Sequence, residues 1–539
     1  MNRRDWLHTT SAAGIALVSS RWSLAEESAT TIADQFSSLA DLALAEAKQL
    51  GASFADFHLM QTDSESLFVR EEMVQRVNAN SRLGVSVRVL VNGAWGFAAS
   101  SVIDEASVRS LAASAVAMAR GQAGWRAQPV EIEPLTAYEG SWELPIEVDP
   151  FTVSLEDKVD RLLAINRSAL GAGASYCNSS VRMVRERKWL ANSFGSRISQ
   201  SRVRIHPGFD VTVTDPKLGG FANRASFLPP RGAGYEHLRD WKATEEAALA
   251  VEQAREKMAA PSVTPGKKDL VIAPSNLWLT IHETVGHPTE LDRALGYEAN
   301  YAGTSFCTPD KLDSLQYGSE IVTLVGDRTA ENGLSTTAWD DDGVKTEGKE
   351  FAIVEKGVFR NFQMAMGQAA LIGRDGGSNA CAYADNFDSF PIQRMPNISL
   401  QPGEDESVTA ESLIADVEDG LFVEGNGSWS IDQQRYNFQF TAQVFHKIKN
   451  GKLDGAYKDV AYQGNSVDFW NACDGLGGAP TYELGGAFNC GKGQPPQVAP
   501  VSHGAVPARF RQVNILNTAE EAGEKTASRC DCSGGGQWA

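Results

Sequence analysis

The stretch I-H-E-T-V-G-H, residues 281–287, decides how the rest of the chain is interpreted. It has the pattern H-E-x-x-x-H, with two imidazoles flanking a carboxylate. Neutral imidazole nitrogens bind divalent ions such as zinc, and a glutamate beside a ligand can accept a proton from water. The apolar residues Leu277, Ile281 and Val285 recur every fourth position, which predicts a helix that buries this stripe. The pattern therefore predicts a catalytic metal site on a buried helix.

The spacing of the two histidines is unusual for such a site. In the common zinc-peptidase helix the histidines are separated by one turn and share a face. His282 and His287 are instead about 140° apart around an ideal helix, so a single ion requires a distortion. Gly286 permits a bulge or an early helix end. Pro288 disfavours helical backbone before it, so we expect His287 to turn back from a frayed end. Two unrelated histidines on a core helix are the alternative.

Length and composition restrict the class of protein. A chain of 539 residues can hold two or more domains, each with its own core. The net charge of −19 argues against nucleic acid as a partner, because phosphate binding needs clustered Lys and Arg. No stretch after the N-terminus is long and apolar enough to predict membrane insertion. Seven cysteines without a C-x-x-C pair do not suggest a disulfide framework, and they leave room for a thiolate ligand.

Residues 1–25 resemble a twin-arginine export signal. Arg3 and Arg4 precede a weakly apolar stretch, residues 11–18, and S-L-A at residues 23–25 fits a small-residue cleavage site. A chance pair of arginines in a ragged N-terminus is the alternative. We expect an exported protein, periplasmic or extracellular, whose mature chain begins near Glu26.

Two regions follow the export signal, and they meet at a stretch rich in Pro, Ser and Thr before residue 267. Residues 26–260 combine amphipathic helices with alternating strands and the hairpin turn Asn92-Gly93. Residues 267–517 are rich in strands and turns, and residues 518–539 are small, polar and expected to be disordered. The sequence predicts an α+β fold. It has an N-terminal α/β region with antiparallel sheets and flanking helices, and a C-terminal β-rich domain that carries the H-E-x-x-x-H helix.

Two histidines leave a catalytic zinc ion one protein ligand short. The residues themselves leave the third ligand open among the cysteines and Glu290, Asp292, His446 and His503. Cys490 lies in a glycine-rich stretch that lets the backbone approach an ion, although most lone cysteines are simply buried apolar residues. The stabiliser of the developing oxyanion is also left open, among Tyr301, Arg394, Arg435 and Tyr436. The acidic run Asp340–Asp342 lacks the spacing of a calcium loop and is expected to be a solvated turn.

The motif H-E-x-x-G-H-x-x-E-x-D, residues 282–292, resembles that of the TldD/PmbA metallopeptidase family, on the TldD side. The stretch N-C-G-K-G-Q, residues 489–494, and W-D-D-D-G, residues 339–343, extend the resemblance over the C-terminal region. The resemblance implies that His282, His287 and Cys490 hold one zinc ion and that Glu283 is the catalytic base. Pro288 departs from the small residue common in the family at this position, but this departure removes no ligand.

The resemblance implies a zinc-dependent peptidase that hydrolyses peptides or unfolded polypeptide segments. It also implies a homodimer, or a heterodimer with another family member, around an enclosed cavity. A non-catalytic peptide-binding or peptide-maturation partner with a structural metal is the second function class. Glu283 favours the peptidase, because a structural site has no use for a base beside its ligands. The identity of the peptide and of the cleaved bond does not follow from the sequence.

Overall fold

A computed structural model of the chain describes residues 36–125, 128–215 and 220–520. The predicted export signal lies outside the described residues, as do Cys530, Cys532 and most of the predicted tail. The fold is α+β, with largely antiparallel sheets and few helices, which confirms the predicted class. Within the described ranges, no helix combines the length and apolar character needed to cross a membrane.

One seven-stranded sheet organises the first half of the chain. Its strands are β1 (Phe54–Arg70), β2 (Met73–Val91), β3 (Ala94–Ser100), β4 (Glu139–Glu143), β5 (Tyr176–Asn192), β6 (Arg197–Asp215) and β7 (Gly220–Ala225). Their order is β3-β2-β1-β5-β6-β4, and β7 pairs with β6. Every pairing is antiparallel except that of β4 with β6. The predicted hairpin turn joins β2 to β3 with positive φ at both Asn92 and Gly93, as a tight turn of this type requires.

Helices cover this sheet in two groups, each with its own core. The helices are α1 (36–49), α2 (Glu105–Gln122), α3 (Leu155–Gly171), α4 (Glu236–Arg239) and α5 (Ala243–Ala259). Helices α1 and α2 pack on β1 and β2, whereas α3 and α5 pack on β5 and β6. Asp104 and Ser154 cap the starts of α2 and α3 by accepting backbone N–H bonds, which satisfies donors that a helix start leaves free.

The C-terminal half is built from strands, short helices and loops. Its strands are β8 (Gly266–Ile272), β9 (Leu324–Asp327), β10 (Phe351–Glu355), β11 (Val358–Phe359), β12 (Ala382–Tyr383), β13 (Ile392–Gln393), β14 (Asn397–Leu400), β15 (Asp419–Ile431), β16 (Asn437–Lys449), β17 (Lys452–Tyr457), β18 (Val460–Asn465), β19 (Cys473–Leu476), β20 (Glu483–Lys492), β21 (Gln497–Ala505) and β22 (Ala508–Asn517). Its α-helices are α6 (Pro274–Ile281), α7 (Leu291–Ala294), α8 (Ala410–Ala415) and α9 (Ser466–Asn471).

Two of the sheets in this half enclose helix α6. One has the order β15-β8-β22-β18-β16-β17, with β19 paired to β22, and the other has the order β11-β10-β9-β14-β21-β20. Leu277, Ile281 and Val285, the predicted apolar stripe, are fully buried in the core between them. The helix that carries the histidine motif is therefore held from both sides, and β20 forms one edge of the second sheet.

Buried ion pairs join the two halves of the chain. Arg88 of β2 bonds to Asp342 at 2.8 Å, and Lys188 of β5 bonds to Asp341 at 2.5 Å. The carboxylates of Asp340 to Asp342 also accept backbone N–H bonds from their own and neighbouring loops. The expectation of a solvated turn here is wrong. Cations of the first sheet compensate the charges of Asp341 and Asp342 in this buried run. Burial raises the pKa of Asp340 to about 8, so this side chain is largely protonated near pH 7.

Candidate metal centre

Helix α6 continues into a single turn of π-helix, His282–Gly286. The N–H of His287 donates to the C=O of His282, which is an i→i+5 bond. In this wider turn, residues five apart lie close to one line along the helix. The π-turn therefore brings His282 and His287 to the same side, and their ring centroids are 4.7 Å apart. The distortion that the spacing demanded is a π-bulge.

Two small features accompany the π-turn. Gly286 lets it pack closely, because a Cβ at this position would lie only 2.8 Å from Sδ of Met395. His287 keeps helical backbone, with φ −63° and ψ −43°. The expectation that Pro288 turns His287 back from a frayed end is therefore wrong. Pro288 lies in a short 3-10 turn, His287–Thr289, where its missing N–H costs little because N–H groups at a helix start lack intrahelical partners.

His282, His287 and Cys490 form one compact group. Their ligand atoms all lie within 4.8 Å of one another, and within the part of the chain that the structure describes no other such group is found. Cys490 Sγ is 3.7 Å from Nε2 of His287. All three side chains are buried. Cys490 reaches the group because β20 has a bulge between Ala487 and Cys490, which redirects the strand.

The protonation of these side chains suits a metal ion. Burial lowers the pKa of both His282 and His287, so both rings are neutral near pH 7. Burial by itself would raise the pKa of Cys490, but the adjacent His287 and Arg394 lower it overall. Two neutral imidazoles and a thiolate are ligands that zinc prefers. The residues therefore fit a zinc ion.

Each histidine is held in place through its Nδ1 atom. Nδ1 of His282 is 2.7 Å from Nε2 of His503, and Nδ1 of His287 is 3.0 Å from Oε2 of Glu290. His503 and Glu290 are fully buried. Such contacts fix the tautomer and the orientation of a ligating ring and leave Nε2 for the ion. His503 and Glu290, two candidates for the third ligand, are therefore placed to support the ligands.

Lys492 connects this centre to a buried acidic cluster. Its Nζ atom is 2.7 Å from Asp292, 3.2 Å from Glu290 and 3.3 Å from Glu298. The positive charge of the lysine and the negative charges of the carboxylates offset the cost of burying each other. The lysine also holds Glu290 against His287. Lys492 was missed as a functional residue. Two features of the sequence could have indicated its role. Lys492 lies in the motif N-C-G-K-G-Q, and the first motif contains two acidic residues, Glu290 and Asp292, that a buried lysine could pair with.

Two further candidates for the third ligand, Asp292 and His446, have partners outside the metal-binding group. Nζ of Lys492 engages Asp292, and His446 pairs with Glu424 at 2.9 Å outside the group. Neither residue is part of the convergent set of ligand atoms. Cys490 is therefore the thiol or acid that the structure places beside both histidines.

Among the oxyanion candidates, two arginines have defined partners. Nη1 of Arg435 donates to Oε2 of Glu283 at 2.8 Å. Arg394 donates to the backbone carbonyls of Cys490 and Gln497 and so anchors β20. Tyr436 packs edge-on against a buried phenylalanine ring, whereas Tyr301 is 45% exposed. Tyr301 is the most exposed of the four candidates.

Comparison with known proteins places most of the chain in the family that the two motifs resemble. Models of the PmbA/TldA metallopeptidase match in three parts: domain 1 at residues 56–119, the central domain at 148–258 and the C-terminal domain at 265–515. A metalloprotease of Methanocaldococcus jannaschii is 26% identical over 440 residues, covering 81% of this chain and 92% of the relative. A zinc metalloprotease TldD homolog of Saccharolobus solfataricus is 22% identical, covering 79% and 89%.

Solved structures share the fold. TldE from Thermococcus kodakarensis matches with a TM-score of 0.67 and 15% identity, covering 88% of this chain and 98% of that protein. A protein of Bacteroides thetaiotaomicron matches with a TM-score of 0.68 and 19% identity, covering 90% and 99%. The three domain matches span most of the described residues, in the order expected of one protein. The chain belongs to the PmbA/TldD metallopeptidase family.

Proposed function

We propose that the protein is a zinc-dependent peptidase that hydrolyses peptides or unfolded polypeptide segments. The observation that supports this most strongly is the convergence of His282, His287 and Cys490, with Glu283 beside them, in one buried centre. Relatives named metalloprotease add support at the level of the family.

Metal binding, ring orientation and proton transfer are assigned to different side chains. His282, His287 and Cys490 hold the zinc ion, and His503 and Glu290 orient the two rings. A zinc ion bound there supplies a Lewis acid and lowers the pKa of water toward about 7. Glu283 accepts the proton of the attacking water and returns it to the leaving amine. The bond from Arg435 keeps the Glu283 carboxylate oriented for both transfers.

The edge strand β20 offers a way to hold an extended substrate. It ends one sheet, carries Cys490 and runs directly into the metal centre. An extended peptide binds such an edge through backbone hydrogen bonds, which give affinity with little preference for side chains. A folded domain does not present a free extended segment of this kind. We therefore propose that the enzyme cleaves short or unfolded chains and spares folded proteins.

The proposal also covers the oligomeric state of the protein and its export. We propose a dimer, formed with a second copy or with another family member, around an enclosed cavity. Membership of the PmbA/TldD family motivates this proposal, because the family resemblance implies pairing between its members. We also propose export through the twin-arginine signal predicted for residues 1–25. Sizing of the purified protein in solution tests the dimer, and a monomer that is fully active contradicts it.

The activity is tested by measuring bound metal and hydrolysis on the same preparation. We expect about one zinc ion per chain, loss of hydrolysis on chelation and recovery with zinc. Cys490→Ser should lose most of the zinc, whereas the control Cys473→Ser, in the buried core away from the centre, should keep it. Full zinc occupancy in Cys490→Ser would contradict the ligand assignment.

Substrate choice is tested by digesting one protein in native and unfolded forms. We expect rapid cleavage of the unfolded form alone. Equal rates on both forms would contradict the enclosed site. Stoichiometric zinc without hydrolysis of any peptide would support the alternative function, a peptide-binding or maturation partner with a structural metal.

A further inference from the structure

A cavity of about 390 Å³ lies where the first and second halves of the chain meet. It is lined by the start of α6, by the start of β20 and by residues of β7 and α5. Two aromatic rings, Trp278 and Phe227, and three carboxylates, Glu246, Glu424 and Glu483, line it. The metal centre uses none of these side chains.

The cavity and the metal centre lie at opposite ends of the same two elements. Helix α6 leads from Ser275, in the cavity wall, to His282, and β20 leads from Gly485, also in the wall, to Cys490. The two elements are in contact, because a Cβ on Gly485 would lie 2.2 Å from the ring of Trp278. The separation is about 10 Å along the helix and about 17 Å along the strand. An extended peptide covers this distance with about three to five residues.

The lining carries an excess of negative charge. Its arginine, Arg224, is already neutralised: Nη1 donates to Glu246 at 2.6 Å, and the guanidinium lies over the ring of Phe227 at 3.6 Å. Glu424 accepts a hydrogen bond from Nε2 of His446 at 2.9 Å. Burial and the charge of Glu424 raise the pKa of Glu483, against the influence of Arg231. A positive ligand charge would relieve the repulsion between these two carboxylates.

An organic cation fits this cavity better than a metal ion. In the described chain the convergent set of metal-binding atoms is the one at His282, His287 and Cys490, and the carboxylates of the cavity do not form a second. The indole face of Trp278 offers a cation–π contact, and its apolar surface packs against an alkyl stem. A lysine or arginine side chain has both parts, a long stem and a cationic end.

We infer that this cavity is a substrate subsite for a lysine or arginine side chain located about three to five residues from the cleaved bond. The inference rests on the proposed peptidase function and names its substrate class: extended peptides with a basic residue at that distance. Glu483 and Glu424 attract the cation, and Trp278 packs against its stem. An acidic residue at the same position is repelled.

Matched peptides of Gly, Ala and Ser test the subsite. One variable position, moved from two to six residues away on either side of the cleaved bond, carries Lys, Ala or Glu. Binding is measured with zinc-loaded Glu283→Gln, and kcat/KM with the wild type. At one position we expect the Lys peptide to bind about tenfold more tightly than the Glu peptide, as a close charge pair contributes.

Glu483→Gln should reduce this ratio by weakening the binding of the Lys peptide. The control Glu105→Gln removes an exposed carboxylate at the start of α2 and should leave the ratio unchanged. Equal binding of Lys and Glu peptides at every position, with the Ala peptide still cleaved, overturns the subsite and leaves the peptidase standing. A Lys preference that depends on Glu483, without cleavage of any peptide, supports the subsite and overturns the peptidase. A Lys preference unaffected by Glu483→Gln and Glu483→Lys overturns the assignment to this cavity.

Discussion

Arg435 donates a hydrogen bond from Nη1 to Oε2 of Glu283 at 2.8 Å, and both side chains are largely buried. Arg435 belongs to the turn between β15 and β16 and has a positive φ of 62°. Non-glycine residues adopt this conformation only where surrounding contacts hold them there. The turn thus places a guanidinium on the carboxylate that lies next to the metal-binding histidines.

We therefore expect Arg435→Gln to keep bound zinc and to lower kcat on the order of tenfold to hundredfold, because a misplaced Glu283 transfers protons poorly. The kcat of Arg435→Lys should lie between those of this variant and the wild type, because lysine restores the positive charge without the planar guanidinium group. Zinc content and kcat are measured together. Arg360→Gln, an exposed arginine that pairs with Asp313, serves as the control. An unchanged kcat in Arg435→Gln would show that Glu283 needs no positioning partner.

The contact between His503 and His282 predicts an effect on metal affinity. His503→Leu removes the group that orients His282 and should weaken zinc binding about 10- to 100-fold. His503→Gln, which keeps a polar group near Nδ1 of His282, should recover part of this loss. Competition with a chromogenic chelator measures the affinity directly. Equal affinities for the wild type and His503→Leu would leave the histidine pair without a role at the metal.

The buried carboxylate of Glu186 predicts a loss of stability in acid. Burial would raise its pKa, but Arg202, Lys188 and Arg204 hold the pKa well below the usual range. The unfolded chain, with a glutamate pKa of about 4.3, therefore binds this proton first. The stability that Glu186 contributes is present above about pH 4.3 and is lost as the pH falls below it.

We expect the urea midpoint of the wild type to fall as the pH is lowered from about 5 to about 3. Glu186→Gln should be less stable at pH 7 by about 3–5 kcal/mol, because it leaves buried cations uncompensated. Its midpoint should also depend less on pH over this range. Parallel pH dependence in the two proteins would assign the acid sensitivity to other carboxylates.

The N-terminal sequence predicts export. Replacement of Arg3 and Arg4 by lysine should leave the precursor in the cytoplasm, because twin-arginine signals are recognised through the arginine pair. Fractionation followed by immunoblotting measures the distribution, and N-terminal sequencing of the exported wild type should begin near Glu26. Normal export of the double variant would exclude this route.

The sequence predicted the α+β class, the buried helix of the motif and the hairpin turn at Asn92-Gly93. These predictions rest on local periodicity and turn chemistry, which a single sequence contains. The form of the helix distortion was not predictable. Gly286 was compatible with either a bulge or an early end, and packing against Met395 and the enclosing sheets decides between them.

The contacts of the supporting residues could not be predicted for a related reason, although His503 was a ligand candidate and Lys492 lies in the motif N-C-G-K-G-Q. His503 and Lys492 come from strands far from the histidine motif in the sequence, and the sheet order alone brings them to His282 and Glu290. The buried acidic run at Asp340–Asp342 is explained in the same way, since its compensating cations lie on strands of the first half. Long-range pairing of charges leaves no local pattern.

In the proposed mechanism, His282, His287 and Cys490 bind the metal, whereas Glu283 transfers the proton. The most direct measurement compares the hydrolysis of an unfolded polypeptide by the wild type and by Glu283→Gln at equal zinc occupancy. We predict full zinc in both proteins and hydrolysis by the variant reduced by a factor on the order of 10² to 10⁴, as expected for loss of a general base. Hydrolysis by zinc-loaded Glu283→Gln at the wild-type rate would contradict the proposed mechanism.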